Sequence, residues 1–238
     1  YDGSPYTGSM YLNEPFKSSA VNQEKIHVPS GYSGKALWNK DEIANRIQRY
    51  DSAGWQVAIH TQGDKAISET LDAFEKSGIS KYSRHRLEHC LLPEKEAIQR
   101  MAELGVSPSF HINHLWYYGE ALENHIIGQE RTGRILPLKA AENNSLIFSL
   151  HADQPMFESD PLSLLHTAVN RKTRDGQIVG KTNKISVEQG LRSLTINAAW
   201  QIKMENKIGS IKPGKYADFV IIDQNPMMVD PEKIKDIH

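Results

Sequence analysis

The amino-acid sequence predicts an α/β protein with a parallel sheet, assembled from strand-helix units of the β/α barrel type. Three observations carry that expectation. Short apolar runs rich in β-branched residues alternate with amphipathic helical stretches four times between residues 55 and 153. Most of the connections between them are punctuated by Gly or Pro. The chain, at 238 residues with 39% hydrophobic residues, is long enough to bury one substantial core.

The units follow in order. Residues 1–35, with DGSPYTGSMYLNEP and VPSGYSGKA, show no period and read as a long loop. Asn39, Asp41 and Glu42 open a helical stretch whose Ile43, Ile47 and Tyr50 share one face, and Gly54 stops it. WQVAIH (55–60) reads as a strand and AISETLDAFEKSG (66–78) as its helix, closed by Gly78 and with Asp64 expected as the N-cap. RHRLEHC (84–90) repeats the plan, with Pro93 in a first helical turn and EKEAIQRMAELG as the helix. VSPSF (106–110) is a third strand weakened by Pro108, followed by a loop carrying Trp116, Tyr117 and Tyr118 and a helix near residues 131–142. SLIFSLHAD (145–153) is a fourth strand; 161–169 and 186–200 are helical by period. IGSIKPGKYADFVIID (208–223) has a Pro-Gly turn between two apolar alternations and predicts an antiparallel hairpin. Four units make half of an eight-stranded barrel, and the chain divides into barrel residues 1–205 and strands of a small β domain at 206–238.

Charge narrows the partners. Lys and Arg number 28 against 29 Asp and Glu, so no long-range field favours nucleic acid or an anionic membrane, and a small-molecule substrate is expected instead. Cys90 is the only cysteine, expected as a small buried residue, and agrees with a reducing, cytoplasmic setting. No apolar stretch approaches a membrane-spanning length.

The coarse map sets His60, His89, His111, and His151 with Asp153, at or just past the ends of four consecutive strands. Loops at the C-terminal ends of barrel strands converge on one opening, which is where chemistry resides in this architecture. Neutral imidazoles and a carboxylate suit Zn²⁺ or a related divalent ion, which polarises carbonyls and lowers the pKa of water. Each histidine alone is more often a hydrogen-bonded structural residue than a ligand, and Asp153 has the alternative role of a helix N-cap. Their shared position is what raises the metal reading.

The ordered runs VAIHTQGDKAI (57–67), RHRLEHC, HADQPM (151–156), LTINAAW (194–200) and IGSIKPGKYADFVIID resemble the amidohydrolase superfamily, in its YtcJ-like and N-substituted formamide deformylase-like branch. The resemblance implies the C-terminal half of a metal-dependent hydrolase TIM-type barrel plus strands of a small β-sandwich domain. It implies His60 and His89 as metal ligands from the family's fifth and sixth strands. It implies that Asp153 resembles the family's eighth-strand aspartate, which touches the metal and acts as general base, then acid. His111, Asn113 and Trp116 would lie near the substrate, while Asp218, in the closing element, would be structural. The implied reaction is hydrolysis of an amide-like or formamide-like carbon-nitrogen bond by a metal-activated water, with zinc, or manganese or iron, as the ion.

The family's His-x-His pair and bridging lysine have no counterpart here, and the chain opens with Tyr1, Asp2, Gly3 and Ser4. The resemblance therefore places strands one to four upstream, so that the chain would need that half or a second copy to complete its site. Two rivals stand beside this reading: a degenerate relative acting in binding or assembly without catalysis, and an α/β enzyme whose histidines work without metal. Retention of His60, His89 and Asp153 argues against the first, and the closing motif against the second.

Overall fold

The structure, a computed structural model, describes residues 1–238. Its sheet has four parallel strands in the order β1 (Ala58–Thr61), β2 (Arg86–His89), β3 (Ser107–His111) and β4 (Ser149–His151). Helix α1 (Lys40–Ser52) precedes β1, capped by the Asn39 side chain on the Asp41 N–H. Helix α2 (Asp64–Ser77) follows β1 and α3 (Lys95–Leu104) follows β2; Gly78 and Gly105 end them in the left-handed conformation. Four parallel strands with helical crossovers form a half barrel, as the sequence predicts.

Strand parity sets the two faces. Leu87, Phe110, Phe148 and Leu150 pack toward the helices in one core of 39 buried residues. The register aligns His60 with Glu88, Ser109 with Ser149, and His111 with His151, all on the opposite face. At the start of β3, Pro108 cannot donate, yet β3 is an inner, fully buried strand. The Ser107 hydroxyl donates to the Ile147 carbonyl at 2.6 Å, and Gln201 Nε2 donates to the Pro108 carbonyl at 2.9 Å. Side chains thus supply the hydrogen bonds that make a proline tolerable there.

Several expectations are corrected. Asp64 is not the N-cap of α2; Gly63 is, and Asp64 is the first helical residue, accepting from the Asn13 and Lys65 N–H groups. Trp116, Tyr117 and Tyr118 lie not in a loop but in α4 (Asn113–Ala121). The single helix expected near 131–142 is two, α5 (Gln129–Gly133) and α6 (Leu138–Asn143). Beyond β4 come α7 (Pro161–Asn170), α8 (Val187–Leu194) and α9 (Ile196–Gln201), the last two broken apart at Thr195.

The hairpin expected over 208–223 does not form. Its turn is present, with the Lys215 N–H on the Lys212 carbonyl, but the arms make no ladder and Ile211, Phe219, Val220 and Ile221 are exposed. A two-stranded hairpin is marginal without a third strand or a covering layer, and neither lies against these arms. A cleft of about 780 Å³ separates this segment from the inner face of the sheet, lined among others by Arg86, Glu88, Ser149, Ile211 and Val220.

Candidate metal centre

Four strand ends deliver four histidines to one place, by two different routes. His60, His111 and His151 reach the inner face by parity alone. His89 shares the parity of Leu87 and would point into the helical layer. Instead His89 and Cys90 adopt left-handed backbone, φ 68° and 49°, which turns the imidazole into the mouth while Cys90 is buried. Non-glycine residues rarely occupy that region, and such local strain is held where the surroundings over-determine it. Asp153, φ 57°, is a second case beside the same cluster.

His89 is the hub. Its ring centroid lies 4.5 Å from that of His60, 5.1 Å from His151, 5.5 Å from His111 and 6.1 Å from His114. Two sets bring their ligand atoms all within 4.8 Å of one another: His89 with His151 and Asp153, and His89 with His111 and His114. Of the three residues the sequence nominated together, His89 and Asp153 are joined in one set. His60 stands beside His89 outside both, its Nδ1 3.5 Å from Asp2 Oδ1.

Burial drives the His89 imidazole down to about 3, with neighbouring His60 and His151 adding to the effect. Burial, then His151 and His89, puts His111 at about 2, and burial holds His114 and His151 below the ordinary histidine range. All four are neutral at physiological pH, the form in which imidazole ligates metal. Yet His89 Nδ1, both nitrogens of His111, His114 Nε2 and His151 Nε2 are buried without hydrogen-bond partners. Buried polar atoms are overwhelmingly satisfied in folded proteins, so a concentration of orphans in one pocket fits a divalent cation.

The irregular N-terminal segment frames this pocket. Buried Asp2 accepts from the N–H groups of Tyr11, Gln62 and Gly63, each at 2.9 Å, fastening the chain start over the end of β1 and beside His60. Tyr6 Oη sits 2.6 Å from His114 Nδ1. Of the nominated substrate neighbours, His111 is within the cluster. Asn113 is buried at the start of α4 and lines, with Trp116 and Glu158, a separate cavity of about 60 Å³. The Trp116 ring lies nearly perpendicular to that of His166, with centroids 5.6 Å apart. The aromatic groups against the histidines are Tyr6, its ring 5.5 Å from that of His114, and Phe157, 5.3 Å from His111 and stacked on Tyr117. His114 carried a faint sequence signal, its three-residue spacing from His111; Asp2, Tyr6 and Phe157 carried none.

Parallel strands that gather imidazoles and a carboxylate at their C-terminal ends define a class, the β/α proteins with a strand-end metal-ligand set. The chain matches the family described as "Amidohydrolase family" over residues 1–238 and belongs to it. It is 27% identical to N-substituted formamide deformylase of Arthrobacter pascens over 226 residues, 92% of this chain and 40% of that protein. It is 23% identical to the YtcJ protein of Bacillus subtilis, over 91% of this chain and 41% of that one. Among solved structures, an uncharacterized metal-dependent hydrolase from Pyrococcus horikoshii superposes with a TM-score of 0.81 at 26% identity, covering 97% of this chain and 44% of that one. The chain thus spans about two fifths of the length of the curated relatives it matches.

Proposed function

We propose that the chain supplies the C-terminal half of the barrel of a metal-dependent hydrolase acting on carbon-nitrogen bonds of amide or formamide type. The observation that carries this reading is the group of neutral, unpartnered imidazole nitrogens around His89 with Asp153 at their edge. His89 and Asp153 would hold a divalent ion, with His60 or His151 completing the set; zinc suits these donors, with manganese or iron as alternatives. Such an ion would polarise a substrate carbonyl and acidify water.

The chain's own residues then divide the remaining work. Asp153 takes a proton at a carboxylate oxygen and returns it to the departing nitrogen. Asp2 stands behind His60, its carboxylate 3.5 Å from Nδ1, where an outer carboxylate would orient that ring once it ligates. Phe157 and His111 wall the pocket on the substrate side, and Asn113 and Trp116 stand further out as shape determinants. In this reading residues 1–205 are barrel and 206–238 gain strand partners in a small β domain when the other half of the fold is present. The partners are a small-molecule substrate and that complementary half, or a second copy. With a buried free thiol at Cys90 and no helix long and apolar enough to cross a membrane, a cytoplasmic setting belongs to the same proposal.

Elemental analysis of the purified protein tests it, alone and joined to a complementary barrel half, followed by a screen of formamides and cyclic amides. Near-stoichiometric metal that falls in His60→Ala and Asp153→Ala, with hydrolysis that falls alongside, is the expected result. No metal in either form would overturn the hydrolase reading and favour the binding module.

A further inference from the structure

Two of the most buried histidines, His111 and His114, hold no ligand's role in the proposed hydrolase site. His111 closes β3, and His114 follows three residues later in the first turn of α4, so chain geometry alone brings both rings to the mouth, with centroids 4.1 Å apart. His89 completes the group, and the ligand atoms of all three lie within 4.8 Å of one another. His89, His111 and His114 are 7%, 0% and 2% exposed. Four of their six ring nitrogens lack a well-formed hydrogen bond, the backbone of Ala152 alone approaching His111. Leaving a buried polar atom unsatisfied is destabilising, so four in one pocket is a poor arrangement for a purely structural core.

The remaining contact singles out the ring orientation. His114 Nδ1 is 2.6 Å from Tyr6 Oη. Either group can donate in this contact; the tautomer in which His114 Nδ1–H donates to Tyr6 Oη leaves the Nε2 lone pair for the pocket. The other set is more encumbered, because His151 Nδ1 already accepts the Asp153 N–H at 3.2 Å.

We propose that His89, His111 and His114 form an all-imidazole position for a divalent transition metal, with Tyr6 as the positioning residue of His114. It shares His89 with the Asp153 position but does not depend on it. The set contributes no negative charge, so it selects ions that favour imidazole nitrogen, Zn²⁺, Cu²⁺, Ni²⁺ or Co²⁺, over Mg²⁺, Ca²⁺ or Mn²⁺. Because both sets use His89, one ion occupies one position or the other. The ring nitrogens would close on an ion at about 2.0–2.1 Å by side-chain rotation.

The test adds Cu²⁺ alone to metal-free protein and reads nitrogen splitting by electron paramagnetic resonance, with Zn²⁺ stoichiometry by elemental analysis. Asp153→Asn is expected to retain one copper with a three-nitrogen signal. Adding His114→Gln to that variant should abolish the signal. Adding Tyr6→Phe, which preserves the ring packing and guards against a folding defect in the glutamine variant, should weaken copper binding about 10–100-fold. Loss of all copper in Asp153→Asn, or a signal indifferent to both His114→Gln and Tyr6→Phe, would overturn the inner position and leave the hydrolase reading standing. Copper that is indifferent to Asp153→Asn but lost in His114→Gln alone would support the inner position and overturn Asp153 as a ligand. Wild-type protein that binds neither ion would overturn both.

Discussion

The two ends of the same four strands are built on opposite principles. At the start of β3 and β4, Ser107, Ser109, Ser149 and Gln201 form a closed network: Gln201 Oε1 accepts from the Ser149 hydroxyl, its Nε2 donates to Ser107 Oγ and the Pro108 carbonyl, and Ser149 reaches Ser109 at 3.2 Å. At the strand ends, four histidines crowd together with nitrogens that have no partner. Satisfied polar groups stabilise a fold, whereas unsatisfied ones are kept where a ligand will satisfy them. The comparison assigns stability to one end and chemistry to the other, which is the division β/α barrels show generally.

The sharpest way to break that division is to remove its hub. His89→Ala takes one ligand from each candidate set at once. Metal affinity should fall by more than the roughly 10–100-fold that loss of an outer partner costs. Thermal stability of the metal-free protein should hold or rise, because the orphaned Nδ1 goes with the ring. Elemental analysis paired with a thermal melt checks both halves, and a variant that melts early while keeping its metal would refute the assignment.

Acid provides the next largest effect. His89 and His111 titrate near 3 and 2, and His114 and His151 are also depressed, so the folded state refuses protons that the unfolded chain accepts below about 6.5. A depressed folded-state value means stability that is present above the unfolded value and lost as pH falls. Each such histidine contributes up to about 1.4 kcal/mol per pH unit below that point. Metal-free protein should therefore destabilise steeply from about pH 6 downward, and His111→Gln should make the melting temperature less dependent on pH.

Much of this was legible in the chain itself, and the misses share a cause. The strands, the Gly78 stop and the strand-end histidines follow from local periodicity and turn chemistry, which residues within one segment determine. The inversion of His89 into the mouth depends on the left-handed pair His89-Cys90, which no sequence pattern announces. The placement of Asp2 and Tyr6 depends on contacts 60 and 108 residues away in the chain. The hairpin failed for the converse reason: its pattern and turn are local, but strand pairing needs neighbours, and those arms stand exposed.

At the opposite end of the strands, Gln201→Ala should cost about 2–4 kcal/mol, since it leaves the Ser149 hydroxyl, Ser107 Oγ and the Pro108 carbonyl short of a partner in a buried setting. Denaturant unfolding measures the loss. Metal content should not change, and a parallel drop in metal would show that the two ends are coupled rather than divided.

Asp2 lies between the two regimes and gives the smallest, most informative effect. Its carboxylate accepts three backbone N–H groups, a stabilising role, and stands 3.5 Å from His60 Nδ1, a ligand-orienting one. Asp2→Asn keeps one acceptor oxygen and removes the charge, so stability should fall by about 1–2 kcal/mol. If His60 takes part in holding the ion, metal affinity should fall by about tenfold in the same variant, the lower end of what an outer carboxylate contributes. Titration calorimetry with Zn²⁺ separates the two. Lost stability with unchanged affinity would confine metal binding to the sets centred on His89 and leave His60 as a neighbour of the site.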